Sequence, residues 1–211
     1  MKCRSILCIV CIALLLTCLT PTITIAKRTN NTAHKERAEI KTLIALLDAE
    51  DWKKAAESAE RYLSKIRSSK DESLKARLRY IVIYATAGAV STGDLNFDLL
   101  DKKLEPFVGR TVTLPYRPVV GSDCPPGGMN LICATGPSTE SFMMIAANKT
   151  NTTIHAFEYV TLKHSEQISP NDGKWASVTG VLKTLKPNPN RSRAIVLRLY
   201  IDQAVLTYRA E

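Results

Sequence analysis

The sequence predicts an α+β protein with helical hairpins packed on a small antiparallel β-barrel or sandwich. The main observation is a change of period near Gly109. Before it, apolar residues return every three or four positions, as on one face of a helix; after it, they alternate with polar residues, as along a half-buried strand. Four segments are expected: a signal peptide (1–26), a polar linker (27–37), a helical region (38–106) and an antiparallel β-barrel domain (107–211).

The first 26 residues have the pattern of an export signal. Two basic residues precede an apolar run, and small residues favour cleavage after Ala26. One alternative is an uncleaved anchor over residues 6–26, since about 20 apolar residues span a bilayer; another is a lipid attached to Cys18. The chain is therefore predicted to be exported, to the periplasm or the extracellular space, and to contact a membrane only if this segment is retained.

Two cysteines, Cys124 and Cys133, remain once the signal is removed. An even pair in an oxidising compartment is typical of a disulfide, and the loop between them, "PPGGMNLI", is rich in turn residues. We therefore expect a disulfide between them. A catalytic or metal-binding thiol is the alternative, although no Cys-x-x-Cys spacing supports it.

Four helices are predicted between residues 38 and 106. The first is periodic over residues 40–47. The second, "AEDWKKAAESAERYLSKI", places Trp52 and three alanines on one stripe, and the third, "LKARLRYIVIYATAGAV", turns Leu78 and Val82 toward the core. The fourth, "LNFDLLDKKLEPF", is short and ends before Pro106.

Part of this helical region resembles tetratricopeptide repeats. The segment "LIALLDAEDWKKAAESAERYL" is similar to one helix pair of that family, and "YATAGAVSTGDLNFDLL" resembles it more loosely, so that the resemblance covers residues 38–104. It departs from the family after "GDLNF", where no alanine-rich helix follows. At most two repeats are present, fewer than the three needed for a free-standing array. The resemblance implies contacts with a protein partner, here one in the cell envelope.

Six or seven short strands are predicted after Gly109. They are "RTVTLPY", "NLICATG", "FMMIAAN", "TTIHAFEYVTL", "KWASVTGVLKTL", "RAIVLRLYI" and "AVLTY". Short strands with glycine and proline between them indicate an antiparallel barrel or sandwich, and Gly180 predicts a bulge or sharp bend. Among small barrels the pattern resembles the oligonucleotide/oligosaccharide-binding (OB) fold.

The hairpin "KTLKPNPNRSRAIVLRLY" carries the candidate binding surface. If its apolar residues point inward, the basic and aromatic residues of this strand pair lie outside: Trp175, Lys183, Arg193, Arg198 and Tyr200. Such a surface suits a glycan or an anionic polymer, and the predicted export argues against nucleic acid, which similar surfaces bind. The plainer interpretation is a solvated hairpin whose basic residues protect a sheet edge.

The sequence predicts neither a cofactor nor a metal site. His155 and Glu158 are an odd number of residues apart and project to opposite faces of a strand unless a bulge intervenes. His164 and Glu166 alone fall short of a zinc site, and each histidine is expected at the surface or half-buried.

A non-enzymatic exported protein acting through protein–protein contacts is the leading functional prediction. A glycan or anionic-polymer binding module is second, in keeping with a net charge of +9, and a hydrolase or metal-dependent enzyme is third.

Overall fold

The computed structural model describes residues 38–66, 71–121, 125, 128–133, 138–167 and 171–209. The predicted signal peptide and polar linker lie outside these residues. The chain divides into two compact units, Met1–Ile44 and Ala45–Glu211. In the first unit residues 38–44 are helical, and they belong to helix α1 (38–48). The elements that carry candidate functional residues all lie in the second unit.

The described part of the second unit combines helices with a seven-stranded mixed sheet, which confirms the predicted α+β class. The helices are α2 (Trp52–Lys65), α3 (Glu72–Thr92) and α4 (Phe97–Leu104), and a 3-10 turn (Glu105–Phe107) follows α4. The strands are β1 (Thr111–Thr113), β2 (Arg117–Val120), β3 (Ile132–Cys133), β4 (Thr139–Ala147), β5 (Ile154–Glu166), β6 (Trp175–Pro187) and β7 (Ile195–Tyr208).

Local signals in the sequence begin and end the helices. The Asp51 side chain accepts a hydrogen bond from the Lys54 N–H at the start of α2, and Asn96 accepts one from the Leu99 N–H at the start of α4. Such side chains satisfy amide groups that have no partner inside the helix. Helix α3 ends at Gly93, whose φ of 87° lies in the left-handed region that favours glycine.

Helix α2 packs against α3 through a stripe of mostly small residues. The stripe is buried, as its spacing predicts, and consists of Trp52, Ala55, Ala56, Ala59 and Tyr62. The Trp52 ring lies so close to Gly88 of α3 that a Cβ atom on Gly88 would stand 2.5 Å from two ring carbons. Helix α3 also contacts β1, β5 and β7, which explains why so much of its surface is buried. These helices and strands therefore share one core.

The strands follow the order β1-β6-β2-β3-β4-β5-β7, and β6 pairs in addition with β7. The pairs β2–β3 and β5–β7 are parallel, and the other pairs are antiparallel. The prediction of an entirely antiparallel sheet is therefore wrong. Strand β7 lies between β5 and β6 in the sheet. Because the chain reverses direction from β5 to β6 and again from β6 to β7, β7 runs parallel to β5. Periodicity identifies strands but not their neighbours.

Two local features of the sheet bear on the sequence predictions. The register between β6 and β7 shifts at Gly180, and a Cβ atom there would lie 2.7 Å from the Ile201 side chain. The predicted bulge is therefore confirmed. Strand β2 was not predicted as a separate strand; it contains Pro118, which cannot donate a ladder hydrogen bond.

Replacing Gly88 with alanine is expected to destabilise the protein, although alanine favours a helix by about 1 kcal/mol. The added methyl group overlaps the Trp52 ring, and overpacking of this kind lowers the free energy of unfolding by about 1–3 kcal/mol. Chemical denaturation of G88A, W52L and the double variant measures the effect. The loss in free energy of unfolding should be smaller in the double variant than the sum of the losses in the two single variants. Additive losses, or a G88A protein more stable than wild type, would contradict the close contact.

Candidate functional site

Three buried polar side chains from three elements form a hydrogen-bonded network. Tyr80 comes from α3, Arg117 from β2 and Glu158 from β5. Glu158 is fully buried, and Tyr80 and Arg117 are each 4% exposed. The Tyr80 hydroxyl donates to Glu158 Oε1 at 2.6 Å, and Arg117 Nη1 donates to Glu158 Oε2 at 2.5 Å. Arg117 Nη2 also donates to the Tyr80 oxygen at 3.0 Å, so the network links a helix to two strands.

The charges within this network balance. Burial lowers the pKa of Arg117, but the negative charge of Glu158, the neighbouring Tyr80 and the hydrogen bond to Glu158 together outweigh burial, and the pKa lies above its ordinary value. Burial, followed by the Glu158 charge, raises the pKa of Tyr80 well above its ordinary value. Arg117 is thus a cation and Tyr80 a neutral hydroxyl at neutral pH. Removing an ion from water costs several kcal/mol. Each buried charge of the Arg117–Glu158 pair therefore needs the other to offset that cost.

His155 lies in the same buried region, at a bulge in β5. The register between β4 and β5 shifts between Ala146 and Ala147, which leaves His155 as the extra residue on β5. A bulge interrupts the alternation of side chains, and both His155 and Glu158 are fully buried despite their odd separation. The expectation of a surface or half-buried His155 is wrong, because alternation alone does not reveal the bulge.

Aromatic side chains enclose the His155 ring. Trp52 meets it edge-on and Tyr84 meets it at a tilt, each with 4.7 Å between ring centroids. Neither ring nitrogen has a hydrogen-bond partner among the described residues, and burial lowers the pKa of His155 to about 4. The ring is therefore neutral at neutral pH and serves as an aromatic packing group.

An open cleft lies beside the network, between α3 and the segment that joins β1 to β2. Its volume is about 400 Å³, within the usual range of small-molecule sites, about 300–1,000 Å³. We call it the aromatic cleft, and its lining consists of Tyr80, Tyr84, Tyr116, Arg117, Asn130 and Trp175, together with two prolines. Tyr116 and Trp175 are 40% and 47% exposed. A second cavity of about 330 Å³ also borders Tyr80 and Tyr116.

A second candidate surface lies on the solvent side of β4, β5, β7 and β6. Residues directly opposite each other on these paired strands form two rows. We call their solvent-accessible part the tyrosine face. It consists of the exposed residues Met143, Lys186 and Arg198 and the half-buried residues Phe157, Tyr159 and Tyr200. The Tyr159 and Tyr200 rings stack with 4.9 Å between centroids and 11° between planes. Lys186 Nζ lies 5.7 Å from the centre of the Tyr200 ring.

The tyrosine face carries two cations that have no counter-charge among the described residues. Arg198 and Lys186 stand directly opposite each other on β7 and β6. Both side chains are exposed, and neither has an ion-pair partner in the described part of the chain. An anionic group of a ligand could therefore contact both at once.

The predicted binding residues Arg198 and Tyr200 lie together on the tyrosine face, but Trp175 does not. Trp175 is the first residue of β6, whereas Tyr200 is paired with Thr184, near the other end of that strand. Nine residues of strand at about 3.3 Å each separate Trp175 from that position. Trp175 instead lines the aromatic cleft.

The other two predicted binding residues are engaged within the protein. Lys183 forms an ion pair with Asp202 at 2.7 Å. The guanidinium group of Arg193 packs against Gly93 at the end of α3, where it would lie 2.9 Å from a Cβ atom on that glycine. The basic turn of the hairpin therefore contacts the helices in part.

The predicted disulfide falls partly outside the described residues. Cys133 is disulfide-bonded and lies on β3, opposite Met143 of β4. Cys124 lies outside the described residues. The pairing of Cys124 with Cys133 therefore stays a prediction.

The described residues lack two features, a cluster of metal ligands and a helix that could cross a membrane. Within those ranges, no three His, Cys, Asp or Glu side chains form a group that could hold a metal ion. None of the helices there is long and apolar enough to cross a membrane.

Comparisons of the chain with protein-family models, with curated proteins and with solved structures find no match. Function is therefore inferred from the geometry and charges of the aromatic cleft and the tyrosine face.

The sequence predictions missed Tyr80 and Arg117, although one signal pointed toward them. Glu158 occupies the same alternating positions as the inward-facing residues Ala156 and Val160. A carboxylate in a buried position requires a partner. The pattern could have predicted that Glu158 has a cationic partner, but it could not have identified Arg117, which is 41 residues distant in the sequence.

Replacing Glu158 with glutamine is expected to lower the free energy of unfolding by about 3–5 kcal/mol, because it leaves the Arg117 charge buried without a counter-charge. Urea denaturation measures the loss. The R117M/E158L variant, which removes both charges, should be more stable than E158Q. Asp202→Asn, which breaks the surface pair with Lys183, is the matched control and should change stability by less than about 1 kcal/mol. Equal small losses in E158Q and D202N would contradict the network.

Stability is expected to fall as the pH decreases from about 6.5 toward 4, because the unfolded chain then protonates His155 while the folded protein does not. The difference between an ordinary pKa of 6.5 and one of about 4 corresponds to about 3 kcal/mol. Denaturation curves across this range measure the effect. H155F should reduce the pH dependence, whereas H164F, at an exposed position, should not. An unchanged pH dependence in H155F would refute this assignment.

Proposed function

We propose that the chain is an exported, non-enzymatic binding module whose tyrosine face binds an acidic polysaccharide. The observation that carries the proposal is the stacked pair Tyr159–Tyr200 beside two cations, Lys186 and Arg198, that form no ion pair with any residue the structure describes. Sugar rings have an apolar side that suits a tyrosine ring, and carboxylate or sulfate groups form charge-assisted hydrogen bonds with lysine and arginine. One polymer can supply both contacts.

Protection of a sheet edge does not explain why a basic residue occupies position 198. Arg198 lies on β7 between two paired strands, with Phe157 of β5 on one side and Lys186 of β6 on the other. A basic residue discourages unwanted pairing only where backbone groups are free. Its exposed charge is therefore available to a ligand.

We further propose that the sheet closes into a small barrel similar to the OB fold. Strand β6 pairs with β2 and with β7, and the series β2–β3–β4–β5–β7 joins those two neighbours. The OB fold binds oligosaccharides and oligonucleotides on an outer face of its strands. The resemblance thus supports a ligand site on the tyrosine face.

Contact with a protein partner in the cell envelope is the second proposal. Exposed apolar side chains favour it, notably Leu99 on α4 and Val108 after the 3-10 turn, which are 48% and 41% exposed. The alanine stripe of α2 offers less support, because it is buried against α3. If the chain binds no polysaccharide, contact with a protein partner becomes the better proposal.

Binding of the full chain to polygalacturonate, measured by calorimetry, tests the main proposal. We expect binding that weakens as salt is added, and little binding to neutral dextran. The K186A/R198A variant should bind about tenfold more weakly or worse, since each charge-assisted hydrogen bond contributes at least about 1.5 kcal/mol.

The matched control is K53A/R61A, which removes one lysine and one arginine from exposed positions on α2. An equal loss of affinity in both variants would mean general electrostatic attraction and would refute the proposed site. Binding to oligo-dT but not to polygalacturonate would also overturn the proposal, in favour of single-stranded nucleic acid.

A further inference from the structure

The aromatic cleft is a site distinct from the tyrosine face. It shares no residue with that face, and its residue Trp175 lies at the opposite end of β6 from Lys186. Its volume of about 400 Å³ suits a small molecule or one or two units of a larger one. A ligand in this cleft would therefore contact a different set of residues from a ligand on the tyrosine face.

The walls of the cleft are uncharged overall. The Arg117 cation is paired with Glu158 and hydrogen-bonded to Tyr80. Burial raises the pKa of Tyr84 to about 12, so its hydroxyl is neutral, and it donates to the Ala147 carbonyl at 2.8 Å. A charged ligand would find no unpaired counter-charge among the described lining residues. The cleft thus favours a neutral ligand.

Two aromatic rings at the mouth of the cleft remain open to solvent. Tyr116 is 40% exposed and Trp175 is 47% exposed. Neither the Tyr116 hydroxyl nor the Trp175 Nε1–H has a hydrogen-bond partner within the described ranges. A matching ligand has an apolar flat side for these rings and hydroxyl groups that stay in contact with water or with these two polar atoms.

Restricted backbone segments hold two sides of the cleft in place. Two prolines flank the Tyr116–Arg117 segment and restrict its backbone. On another side, Asn130 adopts a left-handed conformation with φ of 58°, its N–H donates to the Ile145 carbonyl at 2.7 Å, and its side chain accepts from the Ala147 N–H at 3.1 Å. A preformed site loses little conformational entropy on binding.

We infer that the aromatic cleft binds a neutral sugar ring of the pyranose type, stacked on Trp175 and Tyr116. A pyranose has apolar C–H groups on its faces and hydroxyl groups around its edge, which matches the open, uncharged, aromatic cleft. A fully apolar ligand would leave the Tyr116 hydroxyl and the Trp175 Nε1–H unmatched, and an acidic sugar would find no free cation among the described lining residues.

Titration of the full chain with cellobiose, chitobiose and maltose, followed by tryptophan fluorescence and calorimetry, tests this inference. We expect at least one disaccharide to bind with a Kd of about 1 mM or lower and to change the tryptophan emission. The chain has two tryptophans, and Trp52 is buried, so the change should report on Trp175. W175A and Y116A should each weaken binding at least about tenfold, while W175F should retain part of it.

Several outcomes separate this inference from the proposed function. The K186A/R198A variant should bind the disaccharide as wild type does, and W175A should bind polygalacturonate as wild type does. Thermal denaturation checks that W175A is folded; if it is not, Y116A and W175F provide the comparison. The inference is overturned if no disaccharide binds, if W175F and Y116A both bind as tightly as wild type, or if adenosine or pentaproline competes better than every disaccharide.

Discussion

A buried arginine–glutamate pair, completed by a tyrosine hydroxyl, joins the helices to the strands. Arg117 and Glu158 belong to different strands, and Tyr80 belongs to α3. Burying one of these charges alone would oppose folding strongly, whereas the three groups together satisfy one another. Apolar contacts are non-directional, whereas hydrogen bonds are restricted in distance and angle. The hydrogen bonds of this network require one position of α3 on the sheet.

Both candidate surfaces, the aromatic cleft and the tyrosine face, depend on the network of Tyr80, Arg117 and Glu158. Arg117 holds the segment between two prolines on which Tyr116 lies, so the network supports one wall of the aromatic cleft. Glu158 precedes Tyr159 on β5, and the two side chains point to opposite sides of the strand. Anchoring Glu158 inside therefore orients Tyr159 toward solvent, where it stacks on Tyr200. Rigid support for a half-buried aromatic pair with one side open to solvent is what a binding surface requires.

The sequence predicted features that follow from local periodicity and missed those that depend on the pairing of distant strands. The stripe of α2 and the bend at Gly180 were both predicted, because each follows from a short stretch of sequence. The burial of His155 depends on a bulge, and a bulge is defined only relative to the neighbouring strand. Alternation correctly suggested that Trp175 and Arg198 face outward, but it could not show that they lie near opposite ends of long strands.

Native-state hydrogen exchange tests most directly whether the network joins α3 and the sheet into one cooperative unit. The backbone amides of Ile83 in α3 and Val160 in β5 are both within buried elements. If the network joins α3 and the sheet, the two amides exchange with the same free energy of opening, and E158Q lowers both values equally. The opposite result has two parts: the Ile83 amide exchanges through a separate opening of lower free energy, and E158Q leaves the exchange of the Val160 amide unchanged. That result would show that the network does not join the helix and the sheet into one cooperative unit.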